Sequence, residues 1–163
     1  MAAIDTFRVE SHELQGSETL PMSAVHGSAG GANESPALAW SGEPAGTRSF
    51  AVTMYDPDAP TTVGFSHWIL LNVDSEIHEL KAGSGGRGRN PAGTTLGFTD
   101  WGGSAYEGAA PPPGDAPHRY VLTVYALDIP ELDVDSTTTY ALFRFLAREH
   151  ILAQHSLVRT FGR

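Results

Sequence analysis

The sequence predicts an all-β domain, and three observations lead to that expectation. Eighteen glycines and eleven prolines lie in clusters between short runs of β-branched and aromatic residues, a pattern typical of strands separated by turns. The length of 163 residues suits one domain. Hydrophobic residues make up 40% of the chain and charged residues 18%, which is the composition of a globular protein rather than a disordered one. We therefore expect a single domain over residues 1–163.

Three segments have the composition of central strands. They are Arg48 to Tyr55, Phe65 to Val73 and His118 to Leu127. Each has apolar residues at both odd and even positions, which point to opposite faces of a strand. This is expected of strands that are covered on both faces. Weaker strand signals occur at Phe7 to Leu14 and at Ala37 to Trp40.

Helix is expected only near the C-terminus. Ser136 is a candidate N-cap for a helix that continues through Leu142 and Phe145, and a second helical stretch is predicted at Glu149 to Val158. The glycines of Lys81 to Gly93 do not follow the strand–turn–helix arrangement of a phosphate-binding motif. We predict a mobile surface loop there.

The overall charge and the residue types exclude several classes of function. The formal net charge of −9 provides no general attraction to nucleic acid or anionic lipid. The absence of cysteine removes disulfides and thiolate chemistry, so histidine must supply any titration near neutral pH. No apolar run approaches the roughly 20 residues needed to cross a bilayer, and residues 1–10 lack the apolar stretch of a secretory signal. We expect a cytoplasmic protein without stable membrane insertion.

Strand parity predicts one small pocket at the ends of the three central strands. Asp56 continues the inward parity of its strand, His67 has the parity of the apolar positions that follow it, and His118 and Tyr120 share the parity of Leu122. The short connection Pro57 to Gly64 makes the first two strands antiparallel neighbours, so Asp56 and His67 are expected at the same end of the sheet. Polar groups that converge among apolar side chains are characteristic of a ligand site.

These side chains suit a compact oxyanion. Protonated His67 and His118 would donate charged hydrogen bonds, Tyr120 would add a neutral donor, and Asp56 would orient an imidazole or accept from the ligand. Two histidines and an aspartate could also form a metal triad, but nothing in the set demands a metal or another cofactor. Taken one at a time, these residues could equally be core histidines and tyrosines and a turn-forming aspartate.

The motifs around these positions resemble the phosphatidylethanolamine-binding protein family, in particular its bacterial and archaeal Raf kinase inhibitor-like branch. The resemblance covers nearly the whole chain. It rests on Asn33, Ser35, Pro36 and Trp40-Ser41-Gly42, on Asp56-Pro57-Asp58-Ala59-Pro60 with His67-Trp68, and on Tyr106, Gly108, Pro111-Pro112 and His118-Arg119-Tyr120.

The resemblance implies a β-sandwich of two antiparallel sheets with a short C-terminal helical segment, a cis bond at Ala59-Pro60, and a homodimer. Ala109 and Ala110 depart from the proline and glycine that relatives carry, and the methyl group of Ala110 would narrow the pocket. The ligand-binding residues implied by the family are Asp56, Ala59, Pro60, His67, Tyr106, Ala110, His118 and Tyr120.

Three functions follow from this reading. The first is a non-catalytic module that binds a phosphate or carboxylate group. The second is an enzyme of isomerase or lyase type that uses Asp56 with His67 or His118 as acid–base groups, although no activated nucleophile accompanies them, since Ser66 has the opposite parity. The third is an inhibitor of a protease or kinase, with an unknown target.

The remaining histidines are expected outside the site: His12, His26 and His78 on the surface, His150 and His155 in the C-terminal helical region.

Overall fold

The computed structural model describes residues 6–163, which form two antiparallel sheets and one α-helix. A three-stranded sheet has the order β1-β2-β5, and a five-stranded sheet has the order β6-β4-β3-β7-β8. The strands are β1 (Arg8–Glu10), β2 (Leu38–Ser41), β3 (Ser49–Asp56), β4 (Phe65–Asp74), β5 (Glu79–Leu80), β6 (Thr95–Leu96), β7 (His118–Leu127) and β8 (Ile151–Phe161); the helix is α1 (Tyr140–Ala147).

The three strands with the strongest sequence signals form the centre of the larger sheet. β3 pairs with β4 on one side and with β7 on the other, both antiparallel. Almost every residue of these strands is buried, because the two faces of the sheet are covered by different layers. The predicted antiparallel β-sandwich is confirmed, with strand ends within one residue of those expected.

Each face of the larger sheet has its own core. Phe50, Val52 and Met54 of β3 belong to the core between the two sheets. Ala51 faces the other way and packs in a second core that includes Phe143 of α1. The apolar residues on both parities of β3 therefore serve two layers.

The C-terminal region contains one helix, followed by a strand where a second helix was predicted. The prediction of helix at Glu149 to Val158 is wrong, because β8 pairs antiparallel with β7 from Ile151 to Phe161. Its residues alternate between half-buried and exposed, as expected of an edge strand with one covered face. The helix N-cap is Thr139 rather than Ser136, and its hydroxyl accepts a hydrogen bond from the Leu142 N–H at 3.2 Å.

The weaker elements differ from their predicted extents. The first strand covers only Arg8–Glu10 of the predicted Phe7 to Leu14, and the second is shifted by one residue to Leu38–Ser41. Within residues 6–163 no peptide bond is cis, so the expected cis bond at Ala59-Pro60 is not found.

The glycine-rich segment 81–93 contains neither strand nor helix, as predicted, but residues 83–85 within it are buried rather than exposed. The N–H groups of Gly83 and Gly85 donate to the backbone and side-chain oxygens of Ser35, both at 2.8 Å. A Cβ on Gly85 would lie 2.7 Å from that of Tyr106 and 2.9 Å from the Trp68 Nε1. Glycine is required there by close packing.

Candidate functional site

A cavity of about 220 Å³ lies where β3 ends and β4 and β7 begin. It contains seven of the eight residues predicted to form a pocket, and Tyr106 is the exception. The lining residues are Asp56, Ala59, Pro60, Thr61, Phe65, His67, Trp101, Ala110, Pro111, Pro112, His118 and Tyr120.

Antiparallel pairing brings the ends of β3 and β7 together. Asp56 is the last residue of β3 and His118 the first of β7, and the two strands stay in register up to Tyr55 and Val121. Tyr120 precedes Val121 in β7, on the side of His118, and its ring lies on the inner face of the sheet. Strand order and register alone therefore place the acid, one imidazole and the phenol at one edge.

His67 reaches the cavity through an irregularity in β4 rather than by simple alternation. Ile69, whose parity it shares, lies in the core under the helix, whereas Trp68 lies in the core between the sheets. The pairing with β3 skips from Trp68 to Ser66, which leaves His67 unpaired in a bulge. Because a bulge changes the direction of side chains, His67 turns to the inner face, where its ring lies 5.4 Å from that of Tyr120.

His118 lies between two carboxylates. Its Nδ1 is 2.8 Å from Asp56 and its Nε2 is 3.0 Å from Asp115. Since carboxylate oxygens only accept, both ring nitrogens carry a proton and His118 is an imidazolium. Burial by itself lowers the pKa of His118, but the hydrogen bonds to the two aspartates outweigh it and raise that pKa above its ordinary value.

His67 has a different charge state. Its Nδ1 lies 2.8 Å from the carbonyl oxygen of Glu107, so this nitrogen carries the proton and donates. The Trp101 Nε1 is 3.2 Å from the same atom, but in this tautomer it meets a donor and forms no hydrogen bond. Burial lowers the pKa of His67 despite the raising effects of the Glu107 and Gly108 backbone and of the Asp56 charge. Burial therefore favours the neutral ring, in which Nε2 is an acceptor.

A buried segment beside the cavity fixes the orientation of His67. Asn33 accepts from the Gly108 N–H at 2.7 Å and donates to the Glu107 carboxylate at 2.8 Å. A Cβ on Gly108 would lie 2.3 Å from the Ala24 oxygen. The Asn33 and Gly108 motif residues thus hold the carbonyl that selects the tautomer of His67.

Tyr120 contributes a buried hydroxyl at the cavity. This oxygen has no hydrogen-bond partner among residues 6–163. Burial, the charge of Asp56 and a weak interaction with its carboxylate raise the pKa of Tyr120, so the phenol keeps its proton. That carboxylate lies outside hydrogen-bond geometry, so the hydroxyl still lacks a proper partner. An unpaired buried hydroxyl costs about 1–3 kcal/mol, which a ligand acceptor would recover.

Tyr106 does not line the cavity, contrary to the resemblance-based expectation. It is buried in the core between the sheets, and its hydroxyl donates to the Ala24 carbonyl at 2.6 Å.

The sequence reasoning missed Phe65, Trp101 and Asp115. Only Asp115 carried a usable signal, since it precedes His118 by three residues within a turn-rich segment.

As expected, none of the five remaining histidines, His12, His26, His78, His150 and His155, lines the cavity. His155 lies in β8 rather than in a helix and accepts the Val9 N–H at 3.0 Å. His26 is only partly exposed, because its ring stacks on Trp101 with centroids 4.2 Å apart.

Two features are absent from residues 6–163. No group of three histidine, aspartate or glutamate side chains is arranged to hold a metal ion. None of the helices in that range has both the length and the apolar character of a membrane span.

The fold and the cavity together define a two-sheet β-sandwich with a small pocket at one end of its larger sheet. Residues 10–162 match the family described as phosphatidylethanolamine-binding protein, and the chain belongs to this family.

Relatives and solved structures agree over nearly the whole chain. The chain is 44% identical to the UPF0098 protein YbhB of Escherichia coli K12, over 93% of this chain and 98% of that protein. It is 41% identical to YbcL of the same organism, over 90% and 82%. The crystal structure of E. coli YbcL, described as a new member of the mammalian PEBP family, superposes with a TM-score of 0.92 at 38% identity. The match covers 96% of this chain and 98% of that one.

Proposed function

We propose that the protein binds a small oxyanion, a phosphate or carboxylate group, in this cavity, and that it acts as a non-catalytic binding module. The observation that carries the proposal is the buried Tyr120 hydroxyl, which lacks a partner beside the cavity. A volume of about 220 Å³ is below the range of pockets for drug-sized ligands and suits a small group.

Donors and charge near the cavity support this function. Ala110 lines the cavity and its N–H makes no hydrogen bond to any group in residues 6–163, so we assign it as a second donor beside Tyr120. The His118 imidazolium adds positive charge, although Asp56 and Asp115 occupy both of its N–H groups. We assign His118 the role of holding Asp56 in place instead of the direct donor role predicted from sequence.

Titration with inorganic phosphate and with phosphoethanolamine, followed through the His C2 protons by NMR, tests the proposal. We expect the His67 signal to move at millimolar ligand, because its ring lines the cavity. Distant His78 serves as the internal control and should not move. A titration in which neither His67 nor His118 responds would remove the basis for the function.

A second candidate is acid–base catalysis, and the neutral His67 favours it. A buried imidazole with a free ring nitrogen can accept a proton from a bound substrate, with Asp56 as the nearby carboxylate. Ser66 gives no nucleophile, since its hydroxyl donates to Asp100 and lies outside the cavity lining. A turnover screen comparing the wild type with His67→Asn and Asp56→Ala distinguishes the two functions: equal background rates exclude catalysis by these groups.

A further inference from the structure

We propose that the cavity selects oxyanions that carry a proton, such as the monoanion of phosphate or of a phosphate monoester, because His67 presents a lone pair to the ligand instead of an N–H. This inference rests on the proposed function and specifies its ligand class. The ligand hydroxyl would donate to the His67 Nε2, while its other oxygens would accept from Tyr120 and Ala110.

The hydrogen bond from His67 to Glu107 is the first step of the argument. A carbonyl oxygen only accepts, so the 2.8 Å contact fixes the proton on Nδ1. In a neutral ring the other nitrogen is then an acceptor. His67 is 3% exposed, so adding a second proton would place a charge where water cannot solvate it.

The charged groups around His67 do not reverse this state. Asp56 of β3 lines the same cavity, and Asp100 lies in the loop after β6 and acts on His67 more weakly. From β7 come the phenol of Tyr120 and the His118 imidazolium, whose charge is already matched by Asp56 and Asp115. The Glu107 carboxylate turns away to Asn33 and lies 3.2 Å from His26. Burial outweighs the attraction of the carboxylates, and the pKa of His67 stays below its ordinary value.

The acceptors at the cavity set the preference for the ligand. Asp56 accepts from His118 and from the Asp58 N–H at 2.8 Å each, and as a carboxylate it has lone pairs left over. His67 and Asp56 therefore both present acceptors. A fully deprotonated oxyanion has no proton to donate to them, so its oxygens would be repelled by these acceptor atoms. A ligand with one hydroxyl on its anionic centre satisfies an acceptor and keeps oxygens for the two donors.

A comparison of phosphate with sulfate tests whether the cavity requires a protonated oxyanion. The two anions are similar in size and shape, so a difference in affinity reports their protonation. Phosphate monoesters have a second pKa of about 6, so most molecules carry a proton below that pH, whereas sulfate carries none. We expect calorimetry to show that methyl phosphate binds at least tenfold more tightly than sulfate at about pH 5.5, where most of it is the monoanion. Its affinity should fall as the pH rises through the second pKa of the ligand.

Two variants sharpen this experiment. His67→Asn replaces the ring acceptor with a side chain that can also donate, so the discrimination between methyl phosphate and sulfate should disappear. His78→Asn removes a distant histidine and should leave the discrimination unchanged. The ¹⁵N shifts of His67 should report the neutral ring, protonated on Nδ1, in the bound state as well.

The outcomes distinguish the inference from the function on which it rests. If sulfate and methyl phosphate bind the wild type equally at about pH 5.5, or if His67 is protonated in the complex, the inference is overturned and anion binding stands. If neither ligand binds at any pH, the proposed function fails, and the inference fails with it.

Discussion

The Nδ1 atom of His118 lies 2.8 Å from the Oδ2 atom of Asp56, and both side chains are only 4% exposed. The two residues come from opposite ends of their own strands, the last of β3 and the first of β7. Removing one member of such a buried pair leaves an uncompensated charge and costs about 3–5 kcal/mol. Substitutions in this site therefore affect stability as well as binding, and the two must be measured together.

The stability of the protein should decrease as the pH rises above about 6.5, the ordinary pKa of histidine. The folded-state pKa of His118 is raised, so its contribution is fully present below the unfolded-state pKa and is lost as the pH passes through the folded-state value. Urea unfolding between about pH 6.5 and 9 measures this decrease. In His118→Gln the decrease should be smaller.

Two other histidines contribute to the pH dependence and define the control. The hydrogen bond to Glu43 raises the pKa of His78, so His78 acts in the same direction. Burial lowers the pKa of His67, so its effect has the opposite sign and lies below about pH 6.5. Glu43→Gln removes the contribution of His78; a decrease that vanishes in this variant would contradict the assignment to His118.

Tyr120→Phe should have opposite effects on stability and on binding. Removing an unpaired buried hydroxyl should leave the free energy of unfolding unchanged or raise it by about 1 kcal/mol. Phosphate affinity should fall about tenfold, the loss of one hydrogen bond to a charged ligand. Thermal unfolding and calorimetry measure the two effects.

Tyr106→Phe is the matched control, because its hydroxyl is paired with the Ala24 carbonyl and lies outside the cavity. It should lose about 1 kcal/mol of stability and keep its affinity. A Tyr120→Phe protein that is less stable but binds phosphate normally would show that the hydroxyl serves the fold and not the ligand.

Arg119→Gln should raise the pKa of Asp58, which lies in the loop that contributes Ala59 and Pro60 to the cavity. The Arg119 side chain and N–H both donate to Asp58, and they lower the pKa of that carboxyl to about 2. The variant keeps the backbone N–H of residue 119, so the pKa of Asp58 should move towards 3.8 without reaching it. Carboxyl ¹³C shifts across an acid titration measure the change.

The pair should matter little to stability near neutral pH, since it is exposed and screened by solvent. A lowered carboxyl pKa stabilises the fold above the unfolded-state value and loses that effect as the pH falls towards 2. A pKa of Asp58 that does not change in the variant would contradict the role given to the guanidinium.

Ala110→Gly should widen the cavity mouth and change the preference for ligand size. Ala110 lines the cavity and is not among the residues with positive φ, so its methyl group narrows the space without straining the backbone. The affinity for phosphoethanolamine should rise severalfold relative to that for phosphate. Unfolding should become easier by about 0.5–1 kcal/mol, because glycine gains more entropy in the unfolded chain. An unchanged ratio of affinities would show that the methyl group does not limit access.

The central strands could be predicted because β-branched and aromatic residues are dense there and turn residues bound them. The location of the cavity could be predicted from the strand ends. The sequence argument placed His67 in the cavity correctly, but the parity on which it relied was not the reason. Its simple parity would direct it under the helix with Ile69, and the bulge opposite Met54 and Tyr55 turns it back. A bulge depends on pairing with another strand, so no local pattern shows it.

The C-terminal segment shows a second limit of local patterns. Residues 151–158 contain apolar residues at spacings that suit a helix as well as a half-buried strand. The choice of strand depends on β7, which offers an open edge to β8. Tyr106 illustrates a related limit, since the family motif identified its neighbourhood while the core around Ala24 decides where its side chain packs.

The contact between Val9 and His155 joins residues that are 146 positions apart in sequence. Such a connection closes a loop comprising almost the entire polypeptide, and the entropy of that closure must be overcome before the contact can repay it. Folding should accordingly be slow for a chain of this size, on the order of milliseconds to seconds.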